Sequence, residues 1–464
     1  MAGLFQALEI GKRALLSHQF GLQTIGHNIA NVNTPGFSRQ RVQITSTYPE
    51  TTTLGIVGTG VQVYDIQRIQ DLFLGQQFRE DNKLLGQWRY KEKVMDQVES
   101  LVSEPNDNTL SDLLNKFWDS WADLSTNPNS VSSRVAILEQ ANLVVNSFHQ
   151  TAKQLDALRD SVDRDLVNVT EEINRLSKEI GNLNEQIKSM ELGGVKANDL
   201  RDARDLLLDQ LSEYIDVNTI EQKNGGMTVF IGAMALVDGP DHLEIASKVL
   251  NRDGRLEHEL VWKGTDVKIS NLNGQLKGLI DSRDRVIPSY MEELDVLART
   301  IIEEVNALHR SGYGLNGTTG VNFFETSLLT AAGIRINPDL ASDPARIAAS
   351  LSGEVGDNRI ALAINDLRNR AVMVNGSTTI NDYYNGFVGQ LGMEAREARS
   401  FTKNYELLLN QTENARQAVQ GVSLDEEMAN MVRSQHAYDA AARVITTIDQ
   451  ALDTVISKMG IVGR

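Results

Sequence analysis

Apolar residues along the chain recur at alternating steps of four and three, the spacing of helices that pack along a seam. Near the start the positions are Leu4, Leu8, Gly11, Leu15, His18, Leu22, Ile25 and Ile29, interrupted at Gly11 and His18. A shorter run follows at Leu110, Leu114, Phe117, Trp121 and Leu124. A long one begins at Leu138, Ala141, Val145, Phe148, Ala152 and Leu155, and resumes at Val169, Ile173, Leu176, Ile180, Leu183, Ile187 and Met190. If residues 131–191 form one helix it is roughly 90 Å long at 1.5 Å per residue, longer than a compact domain, so the spacing predicts a rod. The remaining runs are Ile287, Met291, Leu294, Ala298, Ile301, Val305 and Leu308, then Ala441, Ile445, Ile448, Leu452, Val455 and Met459. The first and last helices thus both carry seams, and nothing near either end in sequence offers them a core.

Strand character is confined to two stretches. From Val217 to Ile269, Met227 to Ile231 cluster β-formers, and an Asp253-Gly254 turn separates Ser247–Leu250 from Leu256–Leu260. This reads as a small β domain inserted into the helical rod, expected to project from it and to be separable. The second stretch, Ser311 to about Asn358, is rich in Gly and Asn around Val321–Phe324 and Ile334–Ile336, and either completes the β domain or lies against the bundle. The fold expected is mainly α with a smaller β domain: an elongated bundle of long helices with terminal coiled-coil helices and a β-rich insert. Its segments are 1–70 (N-terminal axial helix, turn and strand), 71–216 (helical rod), 217–275 (β insert), 276–310 (helix returning to the rod), 311–370 (irregular), 371–422 (rod helix) and 423–464 (C-terminal axial helix).

Composition sharpens this picture mostly by exclusion. Only 8 prolines in 464 residues leave helices free to run uninterrupted. With no cysteine there is no disulfide framework, thiolate zinc site or cysteine nucleophile. No apolar run approaches the roughly 18 residues of a membrane helix, and Met1–Phe20 lacks the pattern of a cleaved signal peptide, so any exit from the cell is expected to use another route. The net charge of -17 argues against nucleic acid, whose phosphates demand a cationic surface. That charge lies in the middle of the chain: residues 1–70 hold five basic and three acidic groups, and residues 424–464 four basic and six acidic, so the two ends cancel and can pack together.

Candidate chemistry is sparse. The histidines, at 18, 27, 149, 242, 258, 309 and 436, have no metal-binding helical spacing, and neither a phosphate-binding Gly-Lys-Ser/Thr loop nor a Gly-x-Ser-x-Gly elbow occurs. Gly55-Ile56-Val57-Gly58-Thr59-Gly60 has the wrong glycine spacing for a dinucleotide loop and leads into a strand. The plentiful Asp and Glu read as a solvated face. No catalytic residue, cofactor or metal is assigned.

Two segments carry a distinct spelling. Gly26 to Gln40 includes Asn28-Ile29-Ala30-Asn31 and Thr34-Pro35-Gly36-Phe37. Asn31 suits a helix end, Pro35-Gly36 supplies the fixed and then positive φ of a type II turn, and an extended strand follows from Phe37. Near the other end, Gly421-Val422-Ser423-Leu424-Asp425-Glu426-Glu427-Met428-Ala429-Asn430-Met431 places Ser423 and Glu426 as a capping box, with acids at the positive end of the helix dipole.

Both segments resemble the terminal signatures of the flagellar axial proteins, the rod, hook and hook-associated family. Phe37-Ser38-Arg39-Gln40, the helical region 131–215 and Gly312 to Phe324 are similar to the members at the hook-filament junction. The resemblance implies a non-enzymatic structural subunit whose terminal helices form an inner coiled-coil layer around the export channel. It further implies self-assembly, contact with the hook subunit and the second hook-associated protein, an export chaperone on the C-terminal helix, and secretion to the extracellular flagellum by the flagellar type III apparatus, with no part for membrane or nucleic acid. Another axial protein, either the second junction protein or a hook subunit, is the nearest alternative. A coiled-coil signalling or cytoskeletal protein would account for the seams but not for the Thr-Pro-Gly-Phe turn.

Overall fold

The structure, a computed structural model, describes residues 2–52, 55–102, 109–252, 254–270 and 272–458. Helix α1 (Ala2–Ala30) leads through the Pro35-Gly36 turn into strand β1 (Gln40–Ser46), the short pair β2 (Glu50–Thr52) and β3 (Gly55–Val57), and β4 (Val61–Arg68), which returns antiparallel to β1. Gly55 and Gly60, at φ +124° and +101°, make the bends between these strands. The rod then begins with α2 (Leu72–Val102), α3 (Leu110–Thr126), α4 (Val131–Glu191) and α5 (Asn198–Tyr214). Residues 131–191 do form a single 61-residue helix.

After α5 come β5 (Asn218–Glu221), β6 (Met227–Ile231), β7 (Met234–Asp238) and β8 (Asp241–His242), an antiparallel sheet in sequence order. The hairpin β9 (Ile245–Arg252) and β10 (Arg255–Trp262) pairs Arg252 with Arg255 across the predicted turn; Gly254 there takes φ +85°, and Asp253 lies outside the described residues. Helix α6 (Gly274–Asp281) runs through a π-turn at Ser282–Val286 into α7 (Ile287–Arg310). Short elements follow: β11 (Tyr313–Gly314), α8 (Pro338–Ser342), β12 (Ala348–Ser350) and α9 (Arg359–Asn365). The chain closes with α10 (Ile380–Gln420) and α11 (Leu424–Lys458).

The rod helices bury their predicted stripes. Leu110, Leu114, Phe117, Trp121 and Leu124 of α3 are all buried, as are Ile287, Leu294, Ala298, Ile301 and Val305 of α7. Phe117 and Trp121 pack on Phe323 at ring distances of 5.9 and 5.5 Å, so the irregular stretch after α7 lies against the bundle. His309 belongs to the same cluster. Its Nδ1 sits 2.7 Å from the Val321 carbonyl while Nε2 accepts the Ala348 N–H at 3.0 Å, which makes the neutral ring a tie between three segments. Burial pushes its pKa down to about 4. Helix α10 runs along α2, with Trp88 stacked on Phe401 at 4.3 Å and Arg399 paired to Asp96 and Glu99.

Two expectations need correcting. The long seam does not end as predicted: on α4 Met190 is 65% exposed and Leu183 half-buried, and the buried stripe runs instead through Asn184 and Ile187. Nor is the β region a separable projection. Its Val229, Ile231, Leu236, Ile245, Leu260 and Trp262 belong to the same continuous core as Ile173, Ile180 and Leu208 of the rod. Three polar residues, each about three turns apart on α4, fasten it there by its backbone. Asp163 accepts the His258 N–H at 3.1 Å. Asn174 exchanges two 2.8 Å bonds with Ile245, and Asn184 binds the Met227 N–H and C=O and the Gly239 carbonyl. The strands are too short to enclose a core of their own, so they use α4 as their second layer.

Candidate functional site

The two chain ends meet side by side. Gly11 lies against Ile445, Gly21 against Ser434 and Asn28 against Glu427, so α1 and α11 run antiparallel. At Gly11 they approach closely: a Cβ added there would sit 2.9 Å from Ile445 Cγ1. Of the C-terminal seam, Ala441, Ile448 and Leu452 are buried, Ile445 and Val455 are half-buried, and Met459 lies outside the described residues. On α1, Ile25 is buried while Leu4, Leu8, Leu15, Leu22 and Ile29 are half-buried. Toward the joint the packing face of α1 changes character, and Ser17, Thr24 and Asn28 are buried there beside Ile25.

At the joint, the turn motif is a hub. Asn28, 1% exposed, accepts the Gln40 N–H at 2.9 Å and donates from Nδ2 to the Gln40 carbonyl at 2.9 Å and to Glu427 Oε2 at 3.2 Å. Those bonds fasten the end of α1 to both β1 and α11. Asn31 returns its side chain to the His27 carbonyl at 3.0 Å, ending the helix, and accepts the Thr34 hydroxyl at 3.0 Å. Gly36 has φ +76°, and an added Cβ would lie 3.0 Å from Leu206 Cβ, so both the turn and its contact with α5 require glycine. Phe37 sets its ring edge-on to His27 at 5.4 Å. Ala30, Thr34 and Pro35 are exposed.

Arg39 then reaches α11. Its Nε pairs with Glu427 at 2.7 Å, its Nη1 with Glu426 at 2.7 Å, and its backbone N–H donates to the Gln420 carbonyl at 2.8 Å. The reciprocal capping box expected of Ser423 and Glu426 therefore does not form. Ser423 Oγ stands 3.5 Å from the Glu426 N–H, at the limit of a hydrogen bond, and the Glu426 carboxylate is drawn to Arg39 instead of back to the cap.

On the rod side, the acids of α5 that read as a solvated face form a partly buried stripe. Asp199 accepts from Gln40 Nε2 at 2.7 Å. Asp202 accepts the Ser38 N–H at 2.9 Å and Arg68 Nη1 at 2.7 Å, and Asp205 binds that same Arg68 atom at 2.8 Å. Asp209 bridges Arg79 of α2 at 2.9 Å and Arg416 of α10 at 2.5 Å. Burial pushes the Asp202 carboxyl up, opposed by Arg68, and pushes Asp209 up against the pull of Arg79 and Arg416. Burial works against the Arg68 charge too, but Asp205 and Asp202 outweigh it and hold its pKa above the ordinary value. Sequence reasoning missed Arg68, Asp202, Asp205 and Asp209; the three aspartates recur at steps of three and four, one face of a helix, and that spacing was the available signal. The arrangement is mechanical: ionic and amide bonds tie both chain ends to one end of the rod. Among the described residues no group of three or more His, Cys, Asp and Glu is arranged to hold a metal ion.

Comparison with known proteins gives a consistent result. Residues 95–324 match the family model for the flagellar hook-associated protein FlgK helical domain, and residues 417–458 that for the flagellar basal body rod FlgEFG protein C-terminal region. The flagellar hook-associated protein 1 of Bacillus subtilis is 34% identical across the full length of both chains. That of Escherichia coli is 23% identical over 95% of this chain and 97% of its own. The solved flagellar hook junction protein FlgK from Burkholderia pseudomallei superposes with a TM-score of 0.65 over 75% of this chain and 100% of that one, at 16% identity, a likeness of fold.

Proposed function

The chain belongs to the flagellar hook-associated protein 1 family, and on that premise we propose that it is a structural subunit of the bacterial flagellum at the junction of hook and filament. The observation that carries the mechanism is the joint: residues nearly four hundred positions apart, Asn28 and Glu427, meet with Arg39 and anchor both terminal helices to the rod. Copies assemble through those helices around the export channel. In support of this, Phe5, Leu16 and Phe20 of α1 and Leu424, Met428 and Val432 of α11 stay exposed after the two helices have paired, leaving apolar surface for neighbours. The hook subunit and the second hook-associated protein are the neighbours along the axis, and an export chaperone holds α11 while the chain passes unfolded through the type III apparatus. Deleting the gene should leave hooks without filaments by electron microscopy, and the wild-type chain supplied in trans should restore them; filaments persisting in the deletion strain would overturn the reading.

A further inference from the structure

Among the described residues two arginines of the rod are buried without a carboxylate partner, and they are satisfied differently. Arg134, 1% exposed, covers its fork with backbone: Nε donates to the Ile347 carbonyl at 3.1 Å, and Nη1 to the carbonyls of Pro128 and Ser130 at 2.6 and 3.2 Å. Arg204 of α5, 0% exposed, makes both of its hydrogen bonds from Nη1, to Asn184 Oδ1 at 3.0 Å and to the Gly225 carbonyl at 2.7 Å. Its Nε is buried with no partner. A guanidinium taken out of water with neither an anion nor a full set of acceptors keeps an uncompensated desolvation cost, and burial pushes the Arg204 pKa below its ordinary value.

Arg204 lines a cavity of about 200 Å³ where α2, α5, the start of the β layer, the end of α10 and the turn at Gly36 and Ser38 converge. The acids on its walls are already matched. Asp205 pairs with Arg68 at 2.8 Å, Asp209 with Arg79 at 2.9 Å and Arg416 at 2.5 Å, and Glu221 with Arg201 at 2.5 Å. Arg204 is therefore the surplus positive charge of the cavity, and Gln70, Gln76 and Thr219 on the same walls add neutral donors.

We propose that this cavity is a binding site for a small tetrahedral oxyanion of the phosphate and sulfate class, held on the unused edge of the Arg204 guanidinium. The planar fork of arginine matches the oxygens of such an anion, and the cavity has room for it together with water. An occupant there touches every segment that converges at the joint, so its binding free energy adds to the stability of that arrangement. The site does not depend on the assembly reading above.

Inorganic phosphate titrated into the full-length chain at constant ionic strength should saturate at one equivalent by isothermal titration calorimetry, with sulfate competing and chloride not. Arg204→Gln should weaken binding about tenfold or more, the weight of one charge-assisted hydrogen bond. Gln76 is exposed, so Gln76→Glu leaves the packing intact while placing a carboxylate at the rim of the cavity, and it should weaken phosphate binding likewise. That second variant decides the matter if Arg204→Gln does not fold. Absence of saturable binding overturns the proposal, and so does unchanged affinity in Gln76→Glu or in folded Arg204→Gln. A melting temperature that phosphate raises no more than chloride does at equal ionic strength would show a general salt effect and overturn it too.

Discussion

Along α3 the four-three spacing is buried at all five of its predicted positions, whereas along α1 the same spacing leaves Leu4, Leu8, Leu15, Leu22 and Ile29 half in water. The helices differ in what surrounds them. Helix α3 packs on α4 and α9 and receives Phe323 and Phe324 from the chain beyond α7, so every direction around its apolar face is covered. Helix α1 has α11 on one side and the small strands β1 and β4 on another, and meets the rod at its end, where His27 lies 3.1 Å from Asp199 of α5. A periodic stripe states which face of a helix avoids water; how completely it does so depends on how many elements converge there. The rod is stabilised by converging layers, and the terminal pair by one thin seam and a polar joint.

Three changes would break or sharpen that contrast. The largest effect is expected from deleting 218–268, which removes the layer covering the second half of α4. Each of Val229, Ile231, Leu236, Ile245, Leu260 and Trp262 buries a side chain worth about 1.5–3 kcal/mol, and together they are comparable to the roughly 5–15 kcal/mol that holds an ordinary domain. Calorimetry should show loss of cooperative melting of the rod. A deletion chain that melts cooperatively near the wild-type temperature would mean the β layer is separable after all.

The second change is of pH. His309 is held neutral with a pKa of about 4 against an ordinary value near 6.5, so the folded rod disfavours its protonation. The sign follows: stability from this group is complete above about pH 6.5 and is lost as pH falls toward 4. The loss is of order 3 kcal/mol if the full shift is expressed. Relative to His309→Gln, the wild-type advantage in urea unfolding should shrink over that window, and a constant difference from pH 7 to pH 4 would show that the ring does not titrate with unfolding.

The smallest effect on monomer stability, and the sharpest on assembly, belongs to Ile448→Asp. An unpaired carboxylate in the thin seam weakens pairing of α1 and α11 by several kcal/mol, but no rod layer depends on Ile448, so the main melting transition should move little. Exported variant should fail to support filaments. If it restores them in a deletion strain, the seam is not needed for assembly.

Local chemistry was legible in the sequence. Helix existence, the single 131–191 helix, the Pro35-Gly36 turn with its positive φ and the hairpin at Gly254 all rest on residues within a few positions of one another. The family signatures were legible for the same reason. Tertiary structure alone decided the rest. Glu426 looked like half of a cap because its sequence neighbour was Ser423, and it became an ion-pair partner because folding brought Arg39 to it from the other end of the chain. Asp163, Asn174 and Asn184 gave no sign of fastening a β layer, since a polar residue inside a helical run reads alike whether it faces water or another backbone.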